Sequence, residues 1–171
     1  MNQSVRGIYM KNMLTRKIVL PFSLLGNNID ELIQKKLSKI YEGKCIKEGF
    51  VKKNSIEIIS YSTGVIKGQN AVFIVLFNCL ICKPVEDMKF KVVVKNITKA
   101  GIRAEFKADP SPVVVFISRD HSYKNPNLNK IKEGDTINIK VIGIRYELND
   151  TFISVIASLE SKSIRNKNKT F

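Results

Sequence analysis

Cys45, Cys79, Cys82 and His121 are the residues of this chain best suited to metal or redox chemistry. Cys79 and Cys82 form a C-x-x-C pair. As a zinc site the pair needs two further ligands, and among cysteines and histidines only Cys45 and His121 remain. As a redox centre it should open a helix after a strand. Instead it closes an apolar run, Ala71 to Ile81, that reads as a strand. Buried, unreactive thiols fit this pattern better, because free cysteine is among the most buried residue types. The odd cysteine count gives no disulfide framework and fits a reducing compartment. His121 has no evident nucleophile beside it, and no glycine-rich phosphate loop is present. The expectation is therefore no catalytic residue, no metal site and no cofactor.

The other chemistry on offer is charge. Lys and Arg number 29 against 15 Asp and Glu, a net charge of +14 over 171 residues. Such a chain attracts polyanions: RNA, DNA or an acidic membrane surface. A coding bias toward Lys, Asn and Ile, visible at Asn166-Lys167-Asn168-Lys169, is an equal source of the excess. Charge alone therefore assigns no partner. The longest apolar run, Ala71 to Cys82, is short of the ~20 residues a bilayer-spanning helix needs. No secretory leader pattern opens the chain, so a soluble protein without a membrane partner is expected.

The elements that must position these groups fall into two halves, an α+β fold overall. Residues 1–83 read as an α+β domain with one main helix on an antiparallel sheet. Met13 to Pro21 is strand-like. Ile29, Leu32, Ile33, Leu37 and Ile40 recur at helical spacing after an Asn27 or Asn28 cap, and Gly43 supplies a left-handed stop. Cys45 to Lys53, Ser55 to Tyr61 and Ala71 to Cys82 are β-rich. Pro84 then breaks the chain. Residues 84–160 offer five strands: Phe90 to Ile97, Ile102 to Phe106, Val113 to Ile117, Thr136 to Tyr146 and Phe152 to Ser158. Five strands in about 70 residues, with a polar excursion from Arg119 to Lys132 between the third and fourth, suit a Greek-key barrel of the OB type. Residues 161–171 form a basic tail, expected to be flexible.

Taken in order, several short stretches make the chain resemble the seventh subunit of eukaryotic RNA polymerase II and its archaeal counterpart. Leu20-Pro21 precedes the helix, and Tyr41-Glu42-Gly43-Lys44-Cys45 closes it. Glu48 to Val51, Gly64-Val65-Ile66 with Gly68, and Lys83-Pro84 follow. Thr98 to Ile102, Phe116 to Arg119 and Lys140 to Arg145 match barrel strands and turns. The resemblance runs from about Ile8 to Leu159 and rests on order and spacing rather than on any one motif. It departs at Val85-Glu86-Asp87, where the family carries Gly-Glu, and in the basic tail. Such drift points to a divergent lineage, a large DNA virus or a parasite.

The resemblance implies a non-catalytic stalk subunit of a multisubunit DNA-dependent RNA polymerase. The stretch Gly64, Val65, Ile66, Lys67 and Gly68 would dock on the polymerase core, with both glycines holding backbone angles that a Cβ would strain. The helix and sheet would grip a smaller stalk subunit, and the barrel would hold nascent single-stranded RNA. A basic groove with stacking groups is the OB device for single strands. Arg103 and Phe116 are the stacking candidates, and Lys99, Arg119, Lys140 and Arg145 the phosphate contacts. Phe116 fits a core position equally well, and each cation alone reads as a solvated surface charge. The run Ala71 to Ile81 fits either a partner interface or an ordinary sheet core. The location implied is the nucleus, or a cytoplasmic viral factory or virion for a viral member. The alternatives are a stalk subunit of RNA polymerase I or III, or a free-standing OB protein of translation or RNA decay.

Overall fold

Alternating apolar residues in Asn70–Cys82 build β6, a strand of 13 residues. It pairs antiparallel along its whole length with β1, Tyr9–Pro21. Pairing with the Cys79–Cys82 end carries β1 back to Tyr9, beyond the Met13 start expected from composition. The structure is a computed structural model describing residues 7–122 and 128–160. Its backbone divides between Cys82 and Lys83 into two units.

In the first unit the other edge of β6 takes three short strands in turn. These are β3 (Gly49–Val51), β4 (Glu57–Tyr61) and β5 (Val65–Lys67). β3 also pairs with β2, Cys45–Ile46. The single strand expected over Cys45 to Lys53 is thus a hairpin, turned at Lys47-Glu48.

Helix α1, Ile29–Tyr41, lies on one face of this sheet. Ile33 and Leu37 are fully buried in a cluster with Ile18, Phe73, Val75 and Phe77, and burial of each contributes about 1.5–3 kcal/mol. Ile40, placed on the same stripe by spacing, stays 36% exposed. Asn28 occupies the N-cap but its side chain makes no cap bond; Asp30 and Glu31 complement the dipole instead. Gly43 ends the helix at φ +71°. Glu42 Oε1 then accepts the backbone N–H groups of Ser55 and Ile56, each at 3.1 Å, and Gln34 Nε2 donates to the Ile56 carbonyl at 2.9 Å. These bonds tie the middle and the C-terminal end of α1 to the segment leading into β4. The opposite sheet face, with Val19 paired to Val72 and Lys17 to Ile74, leaves Val19 and Ile74 exposed.

The second unit is a closed five-stranded barrel. Its strands are β7 (Lys89–Ile97), β8 (Gly101–Glu105), β9 (Val113–Ser118), β10 (Thr136–Arg145) and β11 (Ile153–Leu159). Their order around the barrel is β7-β8-β9-β11-β10, with β10 returning to β7. Numbered within the barrel this is 1-2-3-5-4, the OB arrangement. β9 and β11 run parallel and the remaining pairs antiparallel. Irregularities at Lys95 in β7 and Ile142 in β10 bend those strands. Alternate residues such as Val92, Ala104, Val115, Ile139 and Val155 fill the interior. The excursion after β9 contains helix α2, Arg119–Ser122, and a 3-10 turn, Leu128–Lys130. The His121 side chain, Tyr123 and the tail 161–171 lie outside the described residues.

Candidate nucleic-acid interface and docking tip

On β9, strand alternation buries Val115 and Ile117 and turns Phe116 outward at 46% exposure. Phe116 is therefore a wall residue of the barrel, not a core residue. Register places Arg103 of β8 on one side of it and Ile156 of β11 on the other. Asn96 extends the row beyond Arg103, and Gly143 beyond Ile156. Ile156 is 49% exposed, and Ile142, at the β10 irregularity, is also exposed. The result is an apolar strip on the outer wall with a guanidinium beside its one ring. Base faces stack on such a ring, and the guanidinium can stack or meet a phosphate.

Gly101 positions the adjoining turn. A Cβ there would sit 2.2 Å from the Ile117 carbonyl oxygen, so only glycine allows β8 to meet β9 this closely. The Thr98 N–H donates to the Gly101 carbonyl at 2.8 Å, and the Arg119 N–H to the Ala100 carbonyl at 3.2 Å. Lys99 and Arg119, both exposed, are thereby brought to the same end of the barrel. Arg145 faces outward opposite Ser154, one step along the wall from Ile156. Lys140 is not part of this group. It lies between Lys89 and Ser158, and its ammonium is 2.7 Å from Asp87. The hydrogen bond and charge of Asp87 raise its pKa. Arg103 is likewise ion-paired, to Glu105 at 3.2 Å, and Arg145 stands 3.8 Å from Glu147.

Sequence reasoning missed Asn96, Ile142 and Ile156. Ile156 was within reach of the pattern, since Val155 and Ala157 point inward on either side of it.

In the first unit, the stretch from Gly64 to Gly68 expected to dock comprises strand β5 and the start of a tight turn. Lys67 pairs with Asn70 across Gly68-Gln69, and the positive φ of +62° at Gly68 alone marks a type II′ hairpin. Gly68 thus needs its backbone freedom. Gly64 does not: its φ is not positive, and the constraint there is the Phe73 ring, 2.8 Å from where a Cβ would stand. The Phe22 N–H donates to the Gln69 carbonyl at 2.8 Å, seating the end of β1 against the turn. Phe22, Leu24, Val65 and Ile66 are all more than half exposed. An open cleft of about 480 Å³ runs between Pro21-Phe22-Ser23 and Ile66 with Gly68 to Asn70. This tip is an apolar patch with a hydrogen-bonded frame, suited to burial against another protein.

All three cysteines are buried. Burial pushes the Cys79 thiol up to about 11 and the Cys82 thiol up to about 12, with Glu48 and Cys45 adding smaller contributions respectively. The thiolate that reacts or binds metal is thus disfavoured. Among the described residues no three His, Cys, Asp or Glu side chains are grouped to hold a metal ion.

The chain thus combines an α+β unit that carries an exposed apolar tip with a closed five-stranded barrel that carries an exposed ring. No family model matches the chain. It is similar to a protein of Acanthamoeba polyphaga mimivirus, named provisionally as a DNA-directed RNA polymerase subunit. The two are 29% identical over 184 aligned positions, covering 97% of this chain and 89% of the mimivirus protein.

Proposed function

We propose that the chain is a non-catalytic subunit of a viral multisubunit DNA-dependent RNA polymerase. The observation that carries this reading is the likeness to the mimivirus protein along almost the whole chain, through both units. The finer assignment is a stalk subunit. The first unit docks on the polymerase core through the tip formed by Val65, Ile66, Lys67, Gly68 and Phe22. The uncovered sheet face around Val19 and Ile74 receives a smaller stalk partner. The barrel holds emerging single-stranded RNA along Arg103, Phe116 and Ile156, with Lys99, Arg119 and Arg145 at the edges. Lys140, already engaged by Asp87, is a weaker phosphate contact than the sequence suggested. A viral relative favours the viral factory over the nucleus as the place of work.

Co-purification tests the assignment. Tagged chain expressed in infected cells should recover the large polymerase subunits. Ile66→Glu, which places a charge on the exposed tip without touching the core, should reduce that recovery while leaving RNA binding by the purified chain unchanged. Recovery of no polymerase subunit by the wild-type chain would sink the reading. Undiminished recovery with Ile66→Glu would remove the tip from it.

A further inference from the structure

The cations expected to meet RNA on the barrel are largely answered by carboxylates of the same chain: Arg103 by Glu105, Lys140 by Asp87 and Arg145 by Glu147. A less neutralised group of cations lies on the first unit, around the end of α1. Lys36 and Lys39 occupy the last turns of the helix and are exposed. Lys44 follows the Gly43 stop, and its Nζ donates to the Lys39 carbonyl at 3.2 Å. Lys53 comes back beside them: its Cε lies 2.8 Å from where a Cβ on Gly43 would stand. The Gly43 N–H donates to the Val51 carbonyl, and the Val51 N–H to the Lys44 carbonyl, which fixes this return. Lys52, exposed, lies 5.2 Å over the Tyr9 ring of β1, across β6 from β3.

None of Lys36, Lys39, Lys44 and Lys53 forms an ion pair among the described residues. The two carboxylates that flank Lys44 in sequence are occupied. Glu42 accepts two backbone N–H groups, and Glu48 is held by Arg16 at 2.7 Å. The negative end of the helix dipole favours cations here, which accounts for Lys39 in the last turn and for Lys44, whose ammonium meets a terminal carbonyl, but the charges of these lysines remain unpaired. Lys36, Lys39 and Lys53 are left pointing at solvent, with unpaired positive charge gathered around one helix end.

We propose that this cluster of Lys36, Lys39, Lys44 and Lys53 is a second nucleic-acid contact, taking the phosphate backbone of a single strand apart from the barrel. Lysine is a compact point charge suited to phosphate without base readout. Nucleic acid is chosen over other polyanions on the strength of the polymerase reading; the cluster itself is independent of it.

The test uses the full chain and a short unstructured oligouridylate, with binding followed by fluorescence anisotropy across a salt series. The triple variant Lys39→Gln, Lys44→Gln, Lys53→Gln removes three cations. At about −0.7 per phosphate contact, its salt slope should be shallower than wild type by about 2. Between about 50 and 200 mM salt, wild type should therefore lose roughly twenty-fold more affinity than the variant. The matching triple Lys→Arg variant keeps the charge and should keep the wild-type slope. A Lys→Gln variant with wild-type slope and affinity overturns the proposal. So does a Lys→Arg variant as weak as the Lys→Gln one, since the effect would then be structural. Polymerase recovery by the Lys→Gln variant is read in parallel. If nucleic-acid binding is unchanged while the wild-type chain still recovers polymerase, the cluster fails and the polymerase reading stands.

Discussion

Replacing Phe116 by leucine separates base stacking from every other role its position allows. At 46% exposure about half of the ring's surface is packed against neighbours on the wall. A phenylalanine side chain offers roughly 200 Å², so about 100 Å² is covered, worth at most ~2.5 kcal/mol at ~25 cal/mol per Å². Phe116→Ala loses most of that, and should cost the barrel about 1–2 kcal/mol of stability. Phe116→Leu keeps the apolar bulk beside Ile156 and should stay within about 1 kcal/mol of wild type. What leucine lacks is the flat face. Stacking on a ring is worth about 1–3 kcal/mol per base, so Phe116→Leu should weaken single-stranded RNA binding at least about fivefold. Its salt slope should not move, because no charge is removed. Urea unfolding gives the stability, and anisotropy with unstructured RNA gives affinity and slope. A Phe116→Leu variant that binds as tightly as wild type would refute stacking at this site. Phe116 would then be only an apolar wall residue, and any loss seen with Phe116→Ala would belong to packing.

Two further substitutions test how the units are held. Gly101→Ala drives a Cβ to 2.2 Å from the Ile117 carbonyl oxygen, a backbone atom that cannot swing aside; it should destabilise the barrel by about 1–3 kcal/mol, read as a lower urea midpoint, and an unchanged midpoint would mean the β8–β9 approach is softer than described. Burial alone would raise the pKa of Glu48, but the hydrogen bond and charge of Arg16 override it and hold the carboxyl below the usual range. A depressed folded value means the contribution is present above the ordinary carboxylate pKa and lost as pH falls through the folded one. Glu48 Oε2 has no hydrogen-bond partner among the described residues, so Arg16→Met leaves a partly buried carboxylate without its cation and should cost about 1–3 kcal/mol near neutral pH. That cost should shrink in acid as Glu48 protonates; a pH-independent cost would assign Arg16 a packing role instead.

How much of this was legible depended on whether the deciding partner was local. The spacing of Ile29, Ile33 and Leu37 marked α1 because a helix tests its own period. Gly43 marked its end for the same reason. The hairpin at Lys47-Glu48 was read as one strand because neither residue is a strong turn former. Alternation pointed Phe116 away from Val115 and Ile117, yet could not say which side was the interior. Val114, on the same side as Phe116, is itself only 4% exposed, so the local pattern Val113-Val114-Val115 carries no phase. Only the pairing of β9 with both β8 and β11 sets it. The same pairing brings Ile156 beside Phe116 across some forty residues of chain, about which composition is silent. Two ion pairs were readable: Glu105 follows Arg103, and Glu147 follows Arg145, two positions on, the repeat that puts strand residues on one face. Lys140 with Asp87 joins distant segments and was not.

Those ion pairs bear on what kind of RNA contact the barrel can make. An exposed Arg–carboxylate pair is worth about 0–1 kcal/mol, so a phosphate can displace Glu105 from Arg103 at little cost. The carboxylate remains nearby, however, and repels the phosphate that replaced it. Barrel binding should therefore lean on the ring and the apolar strip more than on charge, and should tolerate salt. The lysines around Gly43 have no ion-paired carboxylate among the described residues, and attraction there should fade steeply as salt rises. If both surfaces act on one strand, the lysine cluster governs capture at low salt and the Phe116 wall governs what survives at high salt. The Phe116→Leu and Lys→Gln variants should then cross in a salt series, with the lysine variant the weaker binder at low salt and the phenylalanine variant the weaker at high salt. Parallel curves would mean that a single surface carries both effects.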